Sequence, residues 1–355
     1  MKSVFLESHN IKNKFSGFGQ FNYHLIKGLS NQTLNDIDIT LHAKDPKPLK
    51  DEFGSIFNYK RYNSITRHKP FRIKKKYDLW HCLNQNIKVE PFFDIPYLLT
   101  VHDIHFVTEG SPDIQEKLKS KFREKLKRSS AIVYISEFAK KDTNAYFDVP
   151  DIPQYVIHNG NTITDIDIPT NYNPSVIPKT PYLFSIGDFT ERKNFMSLVE
   201  MLRQLPEYSL VLAGSNTSLY ADSITQLTQK YGLQDRIFQP GKIEDTEKQY
   251  YLQHCEAFVF PSLREGFGIP PIEAMRFGKP VFISNNTSLP EIGGEHSFYW
   301  DHYDPEYMAT VFNEGMEKYR SCPEFYKGWY EERAKSFSWD STAKLYLDVY
   351  QSILK

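Results

Sequence analysis

Short apolar runs of strand length alternate with stretches of helical periodicity along this chain, and the series occurs twice. The alternation predicts parallel sheets covered by helices on both faces, because parallel strands are joined by crossover helices and are buried on both sides. A polar, proline-containing stretch over 165–180 separates the two series. The predicted strands span 4–7, 39–42, 79–82, 97–101, 131–135 and 154–157 in the first series, and 182–186, 209–213, 236–239, 257–260 and 280–284 in the second.

Chain length agrees with two domains. The chain has 355 residues, and a hydrophobic content of 40% is ample for two cores. We therefore expect two doubly wound α/β domains, over 1–165 and 181–336, with a linker over 166–180 and a last amphipathic helix over 337–355. Ligands bind such sheets at the carboxyl ends of the strands. Polar residues that follow predicted strands are therefore the first candidates for chemistry.

Several classes of protein are disfavoured by composition. No run of eighteen apolar residues occurs, and the chain opens directly into a predicted strand, so we expect no membrane-spanning helix, no signal peptide and a cytoplasmic location. Cys82, Cys255 and Cys322 lie far apart and form no CxxC pair. They are therefore predicted to be buried thiols rather than disulfides or zinc ligands.

Charge is distributed unevenly between the two halves. Residues 1–165 carry a net charge of +6 and residues 166–355 a net charge of −7. The basic charge is concentrated at Arg72, Lys74, Lys75 and Lys76, and in a predicted helix from Lys117 to Arg128. This helix is either a solvated face or a weak contact to anionic lipid at the inner face of a membrane. No nucleic-acid-binding motif accompanies the charge, so nucleic acid is not expected as a partner.

One segment, residues 261–282, is the most informative for function. Glu265 and Glu273 bracket a glycine-rich turn containing Gly266 and Gly268, which is followed by the start of a helix. Backbone N–H groups and the positive end of the helix dipole favour a phosphate at such a point. Glu273 can accept hydrogen bonds from a ribose diol, and Glu265 from a second polyhydroxylated group. A nucleotide sugar has that sequence of groups: ribose, diphosphate and sugar.

Two glutamates eight residues apart around Gly-Phe-Gly-Ile-Pro-Pro resemble the signature of the family 4 retaining glycosyltransferases of GT-B fold. The resemblance runs through nearly the whole chain. It implies two Rossmann-like domains facing a cleft, an acceptor-side first domain, a nucleotide-sugar-binding second domain, and a last helix that crosses back to the first domain. It also implies a hexosyl transferase that uses GDP-mannose or a UDP-hexose and acts on a glycan or lipid-linked glycan in the assembly of cell-surface polysaccharide such as lipopolysaccharide.

The resemblance assigns roles to residues at strand ends. After the strand at 182–186, Gly187 and the pair Arg192 and Lys193 match the family's Gly-x-x-x-x-Arg-Lys-Asn turn, where the lysine neutralises the donor diphosphate. Many members carry arginine directly after this glycine, whereas this chain has Asp188. The implied catalytic residues are His102, Arg192, Lys193 and Glu265; the implied donor-binding residues are Gly19, Gly187, Lys242, Ile243, Gly266, Phe267, Gly268, Ile269 and Glu273; Gly17, Phe18 and Asp103 lie on the acceptor side.

The first domain carries two competing interpretations. His102 and Asp103 follow a strand as the family's His-Asp does, and the histidine is then expected to bond a hydroxyl of the donor sugar; with His105 they also form a candidate metal triad. Gly17 and Gly19 lie in a predicted loop that resembles the family's glycine-rich acceptor loop. A dinucleotide fingerprint is disfavoured there, because a third glycine is missing.

The expected chemistry follows from the absence of a second carboxylate near the anomeric carbon. A retaining hydrolase needs two such groups about 5 Å apart. The family's retention of configuration implies instead that the leaving diphosphate takes the acceptor's proton, so we expect catalysis by positioning and charge stabilisation, with no metal and no cofactor. The alternatives are a catalytically silent GT-B protein that binds a nucleotide sugar, or a GT-B epimerase.

Overall fold

The two series of predicted strands form two separate parallel sheets in the computed structural model, which describes residues 1–13 and 16–355. Residues 1–160 and 337–355 make up the first unit, and residues 161–336 make up the second. The stretch 166–180, which the sequence suggested as a linker, is grouped with the second unit, and the last helix is grouped with the first. Each unit therefore has its own sheet and its own core.

The first unit contains a seven-stranded sheet of strand order β3-β2-β1-β4-β5-β6-β7. Its strands are β1 (Lys2–Glu7), β2 (Ile37–Ala43), β3 (Asn58–Arg61), β4 (Leu79–Cys82), β5 (Tyr97–Val101), β6 (Ala131–Tyr134) and β7 (Gln154–Val156). Its α-helices are α1 (Gly17–Ser30), α2 (Lys47–Phe53), α3 (Pro112–Arg128), α4 (Glu137–Tyr146) and, at the end of the chain, α12 (Trp339–Leu354).

The second unit contains a six-stranded sheet of order β10-β9-β8-β11-β12-β13. Its strands are β8 (Tyr182–Ile186), β9 (Ser209–Ala213), β10 (Ile237–Gly241), β11 (Ala257–Phe260), β12 (Val281–Ser284) and β13 (Phe298–Trp300). Its helices are α5 (Phe195–Leu202), α6 (Leu219–Lys230), α7 (Asp245–His254), α8 (Ile269–Met275), α9 (Leu289–Gly293), α10 (Pro305–Ser321) and α11 (Pro323–Ser336).

Strand order reverses once in each sheet, between β1 and β4 in the first unit and between β8 and β11 in the second. Loops leaving the carboxyl ends of two strands diverge at such a switch point and leave a crevice there. The fold class expected from the sequence, α/β with two Rossmann-like doubly wound units, is confirmed. Strand β3 was missed because its sequence is largely polar, and the three-residue strand β13 was missed as well.

Helix α12 is held against the first unit by close packing and by buried hydrogen bonds. A Cβ on Gly28 of α1 would lie 2.5 Å from the Trp339 carbonyl oxygen, and one on Gly160 would lie 2.3 Å from the Trp339 nitrogen. Small residues at both positions therefore allow the helix to approach. The hydroxyl of Tyr350 lies 2.7 Å from Nδ1 of the buried His81. These contacts tie the end of the chain to the sheet.

Two expectations about individual residues were wrong. Cys322 is exposed, whereas Cys82 and Cys255 are buried as predicted. Lys125 does not lie on an exposed basic face of α3: it is 5% exposed and forms an ion pair with Glu90 beneath the helix. Within residues 1–13 and 16–355, no helix combines the length and the apolar character needed to cross a bilayer.

Candidate functional site

The switch point of the second unit holds a cluster of three charged side chains. Lys193 and Arg192 come from the loop after β8, and Glu265 comes from the loop after β11. The Lys193 ammonium lies 2.5 Å from Glu265 Oε1, and Arg192 Nη1 lies 3.1 Å from the same oxygen. Ser262 Oγ donates a third hydrogen bond to Oε1 at 2.6 Å. Residues that the resemblance assigned to the diphosphate and to the sugar thus lie in one cluster.

All of these contacts fall on one oxygen of the Glu265 carboxylate. Oε2 has no partner among the residues that the structure describes, although a carboxylate can accept about four hydrogen bonds. The side chain is therefore fixed in orientation through Oε1. It keeps Oε2 as an acceptor for a hydroxyl group.

Burial and ion pairing together set the charge states of this cluster. Burial would raise the pKa of Glu265, but the neighbouring Lys193 and Arg192 outweigh it and hold that pKa below its usual value. Burial lowers the pKa of the Lys193 ammonium, and the Glu265 carboxylate opposes this effect. The Lys193 ammonium also lies 4.6 Å from the centre of the Phe260 ring. A cation in this partly desolvated setting interacts strongly with an incoming anion.

Two strained backbone positions support the cluster. Asn194, directly after Lys193, has φ = 54°, and Thr287 has φ = 55°. The left-handed region is costly for a β-branched residue such as threonine. Thr287 Oγ1 accepts the Glu265 N–H at 3.1 Å, so the strained residue fixes the backbone of the carboxylate. Strain of this kind concentrates at functional sites.

Gly187 and Gly214 allow the loops of this edge to pack closely. A Cβ on Gly187 would lie 2.9 Å from Cε of Lys193, and a Cβ on Gly214 would lie 1.9 Å from the Gly187 carbonyl oxygen. Gly214 has φ = 135°, in the region that favours glycine. Asp188, which stands where many family members have arginine, is exposed.

Glu273 lies in a second ion pair, which the sequence did not reveal. Its Oε1 accepts from Lys248 Nζ at 2.7 Å and from the Thr162 hydroxyl. Burial alone would lower the pKa of Lys248, but Glu273 and Asp245 raise it above its usual value. Glu273 is buried, and no contact to its Oε2 occurs in the described part of the chain. The pattern of Glu265 is thus repeated: one oxygen is anchored by a lysine and a hydroxyl, and the other is left as an acceptor.

The loop between the two glutamates is held by Ser288. Its hydroxyl lies 3.0 Å from the Glu265 carbonyl oxygen and 2.7 Å from that of Phe267. Gly268 has φ = 116°, and a Cβ there would lie 2.9 Å from a methyl carbon of Leu289. The loop therefore requires glycine at this position.

Helix α8 begins at Ile269, and Pro270 and Pro271 follow in its first turn. Because proline has no N–H, the helix start offers fewer donors to an anion than a typical N-terminus, essentially those of Gly268 and Ile269. The start of α8 is therefore a weaker phosphate site by itself than the sequence suggested. Lys242 and Ile243 directly follow β10, with Lys242 exposed and Ile243 half-buried.

In the first unit, His102 follows β5 and is buried. Its Nε2 lies 2.9 Å from the Leu83 carbonyl oxygen, and its backbone N–H donates to Gln85 Oε1 at 3.1 Å. Burial lowers the pKa of His102 to about 4, so the ring is neutral at neutral pH. A neutral ring that donates through Nε2–H has Nδ1 as an acceptor. The rings of Phe18 and Phe21 pack edge-on against the imidazole.

The side chain of Asp103 contacts His105 and Gln85. Its Oδ1 lies 2.5 Å from Nδ1 of His105 and 3.3 Å from Nε2 of Gln85. Burial would raise the pKa of Asp103, but the bond from His105 outweighs it and lowers that pKa. Among the residues described, no three His, Cys, Asp or Glu side chains are arranged to bind a metal ion, and so the structure lends no support to the candidate triad.

The predicted glycine-rich acceptor loop is wrong as a loop, because α1 already begins at Gly17. Ser16 caps this helix, and its Oγ accepts the Gly19 N–H at 3.1 Å. That N–H was expected to reach a donor phosphate, and here it completes the N-cap. Gly17 is exposed, and Phe18 is half-buried in the first helical turn.

Local sequence patterns do not predict several residues of the candidate site. Lys248 and Thr162 meet Glu273 from elements far away in the chain, and no local motif marks either residue. Ser262 and Ser288 belong to ordinary loop sequence. The Ser-Leu-Arg-Glu-Gly run that contains Ser262 is the one place where the family motif could have suggested a role.

Two doubly wound parallel α/β units, each with its own switch point, are the architecture of the GT-B fold. Residues 167–335, which lie within the second unit, match the sequence model of a family described as "Glycosyl transferases group 1". The resemblance found in the sequence is thereby confirmed.

Known relatives agree with this assignment. The chain is 30% identical to the serotype-specific mannosyltransferase WbdA of Escherichia coli over 69% of its own length and 31% of that protein, so it spans about a third of that relative. It is 25% identical to the O-antigen chain mannosyltransferase B of Escherichia coli, with 99% of this chain and 100% of that protein covered. A solved structure of HepE from Anabaena in complex with UDP and glucose has a TM-score of 0.74 at 16% identity, covering 99% and 100% of the two chains, and therefore shares the fold.

Proposed function

We propose that this protein is a retaining glycosyltransferase that moves a hexosyl group from a nucleotide sugar to a glycan or lipid-linked glycan acceptor during assembly of cell-surface polysaccharide. The observation that carries the proposal is the cluster of Lys193, Arg192 and Glu265 at the switch point of the second unit. The cluster lies within the segment that matches the family. The two relatives are named mannosyltransferases, which makes GDP-mannose the first donor to test beside the UDP-hexoses.

The donor diphosphate is bound by cations in this proposal. Lys193 and Arg192 bring two positive charges to the edge of the sheet where Glu265 lies. Charge builds up on the diphosphate as the glycosidic bond breaks, and a preorganised cation stabilises that charge more in the transition state than in the ground state. Lys193 is the principal group, because it is buried and oriented by Glu265.

The two glutamates bind hydroxyl groups through their second oxygens. Oε2 of Glu273 accepts from the ribose, and Oε2 of Glu265 accepts from the donor sugar. Each carboxylate is already fixed through Oε1, by Lys248 in one case and Lys193 in the other. Fixed acceptors lose little conformational entropy on binding. His102 accepts from a further hydroxyl of the donor sugar through Nδ1, since its Nε2–H is held by Leu83.

No protein carboxylate is placed as a nucleophile in this scheme. The leaving diphosphate takes the proton of the acceptor hydroxyl as the new bond forms on the same face of the sugar. We expect neither a metal nor a cofactor, since Lys193 and Arg192 supply positive charge that a divalent ion would otherwise bring.

A donor screen tests the proposal directly. Thermal shifts are measured with GDP-mannose, UDP-glucose, UDP-galactose and the corresponding free nucleotides, and slow hydrolysis of each stabilising donor is then followed with and without EDTA. We expect one donor to stabilise the protein and to be hydrolysed at a rate that EDTA leaves unchanged. Binding without turnover would support a silent binding protein, interconversion of the sugar an epimerase, and loss of activity with EDTA would overturn the metal-independent scheme.

The same proposal includes weak contact with an anionic membrane. Basic residues Arg72 and Lys74 lie beside the exposed rings of Phe71 and Phe92, and the Lys74 ammonium is 5.4 Å from the centre of the Phe92 ring. Exposed aromatic rings next to cations suit the interface of an anionic bilayer. On α3, Lys117, Lys121 and Lys127 are exposed and Lys119 is half-buried. These lysines, without Lys125, form the basic surface that would contact lipid.

A further inference from the structure

A buried carboxylate with two histidines lies at the carboxyl ends of β1 and β2, and none of the roles assigned above involves it. Glu7 is fully buried, and both of its oxygens lie 2.9 Å from Nδ1 of His9. Nδ1 of His42, at the end of β2, lies 2.7 Å from Glu7 Oε1. The Ser8 hydroxyl donates to the His42 carbonyl oxygen at 3.1 Å and accepts the His42 N–H at 3.1 Å. Glu7 therefore fixes the orientation of both imidazole rings.

The two histidines differ in what their second nitrogens can reach. Nε2 of His42 is sealed from solvent and has no hydrogen-bond partner among the described residues. Nε2 of His9 likewise has no partner in the described part of the chain, but it is not sealed, and the His9 side chain is 10% exposed. The His9 ring stacks on Tyr62 with 4.5 Å between centroids and an angle of 7° between the planes. His9 is thus an oriented imidazole with one nitrogen presented outward.

The position of this imidazole in the sheet corresponds to that of the charged cluster in the second unit. Glu7 ends β1, one of the two strands that flank the switch point of the first unit. The second of these strands is β4. Leu83 and Gln85, which follow β4, contact His102. His102 follows β5, two strands from β1, a separation of roughly 10 Å between strand axes. His9 and His102 therefore lie along the same edge of the first sheet.

We propose that His9 binds the acceptor sugar: its Nε2 hydrogen-bonds an acceptor hydroxyl, and Glu7 acts as the positioning residue that holds the ring. The inference rests on the proposed glycosyl transfer and adds an acceptor contact to it. Because Nδ1 is directed to the Glu7 carboxylate, Nε2 is the nitrogen left to bond a hydroxyl of the acceptor.

A matched pair of variants separates this role from a structural one. His9→Phe and His42→Phe each remove one imidazole partner of Glu7 and keep an aromatic ring, but only the first removes the outward nitrogen. The readout is transfer, at saturating donor, to the best of the p-nitrophenyl α-glycosides of mannose, glucose and galactose. We expect His9→Phe to raise the acceptor KM at least tenfold and to leave donor hydrolysis and donor KM within about twofold of wild type. His42→Phe should leave the acceptor KM within about twofold.

Several results would overturn the inference. Equal acceptor KM values for the two variants, or equal losses of donor hydrolysis and transfer in His9→Phe, would make the cluster purely structural. A wild-type protein that neither hydrolyses nor transfers any nucleotide sugar would overturn the proposed function itself, and the acceptor contact with it. If His9→Phe does not fold, the ring signals of wild-type protein labelled with ¹³C-histidine decide the question, with His9→Gln used for assignment. The His9 signal should move on addition of the glycoside while the His42 signal stays, and an unmoved His9 signal would contradict the proposal.

Discussion

At the scale of single residues, two glutamates of the second unit have the same hydrogen-bonding arrangement. In both Glu265 and Glu273, a lysine and a hydroxyl bind Oε1 while Oε2 keeps its capacity to accept. A buried carboxylate without a cation would be costly, so the ion pair with its lysine offsets the cost of burying each glutamate. The arrangement yields two fixed anionic acceptors suited to hydroxyl groups.

The first prediction concerns Glu273→Gln. A ribose contact made equally in the ground and transition states affects binding more than turnover, so the donor KM should rise more than kcat falls. Loss of one hydrogen bond to a charged group costs about 1.5–3 kcal/mol, which corresponds to roughly tenfold to a hundredfold in KM. Steady-state kinetics with varied donor provide the measurement. The matched control is Asp245→Asn, because Asp245 is exposed and contacts only the far side of Lys248 at 3.1 Å. A donor KM that is unchanged in Glu273→Gln would remove the ribose role.

Two buried histidines predict a specific loss of stability in mild acid. Burial lowers the pKa of His102 to about 4 and that of His81 to about 3, whereas an unfolded histidine has a pKa of about 6.5. As the pH falls, the unfolded chain therefore binds protons at a higher pH than the folded chain. The stability contributed by the two neutral rings is fully present above about pH 6.5. It is lost as the pH falls toward 4, by up to about 1.4 kcal/mol per pH unit for each histidine. Urea unfolding of the whole chain at several pH values, followed by tryptophan fluorescence, measures this slope. His102→Gln should reduce the slope by about half, and an unchanged slope would argue against a neutral buried ring.

At the scale of elements, the contact between α1 and α12 depends on a glycine. A Cβ on Gly28 would meet the Trp339 carbonyl oxygen at 2.5 Å and the Ala343 Cβ at 2.9 Å. Gly28→Ala should therefore destabilise the first unit by about 1–3 kcal/mol, as overpacking commonly does. Gly17→Ala in the same helix is the control, because nothing lies within 4 Å of a Cβ there. It should be neutral or stabilising by about 0.4–1 kcal/mol. If chemical unfolding gave the same change in the free energy of unfolding for both variants, the contact between α1 and α12 would not be tight.

Helix α3 tests the membrane contact. Charge reversal of Lys117, Lys119, Lys121 and Lys127 to Glu should abolish salt-reversible cosedimentation with vesicles containing phosphatidylserine, since each cation near such a surface contributes about 1 kcal/mol. The control reverses four exposed lysines of the second unit, Lys179, Lys230, Lys318 and Lys335. It makes the same change in net charge and should leave cosedimentation intact. Equal loss in both variants, or equal pelleting with neutral vesicles, would leave α3 as a solvated face.

Lys125 is left out of that variant for a structural reason. Its ammonium is buried against Glu90 and lies 3.2 Å from the Tyr97 hydroxyl, so its replacement would break a buried ion pair. Lys125 comes seven residues after Leu118, almost two full helical turns, which puts it on the apolar face of α3. Helical geometry could have predicted this burial, whereas the lysine-rich composition pointed the other way.

At the scale of the whole molecule, the sequence predicts the architecture well and the side-chain network poorly. Alternating apolar runs mark the central strands, because burial on both faces requires continuous hydrophobic sequence. Edge strand β3 was not predicted, because its residues Asn58 to Arg61 are half-buried or exposed and lack a continuous hydrophobic run. The motif around Glu265 locates the site. The contacts of these side chains are set by the tertiary fold. No local sequence pattern therefore predicts the pairing of Lys248 with Glu273 or the contacts of Glu7 with His9 and His42.

The central claim is that Lys193 stabilises charge on a departing diphosphate. The most direct test compares kcat at saturating nucleotide sugar for wild type, Lys193→Ala and Lys193→Arg, with thermal unfolding to confirm that each protein is folded. Removing one preorganised electrostatic contact costs a hundredfold or more in turnover. We therefore predict that Lys193→Ala lowers kcat by about a hundredfold or more and that Lys193→Arg, which keeps the charge, recovers part of the loss. A folded Lys193→Ala variant with kcat near that of wild type would contradict the account.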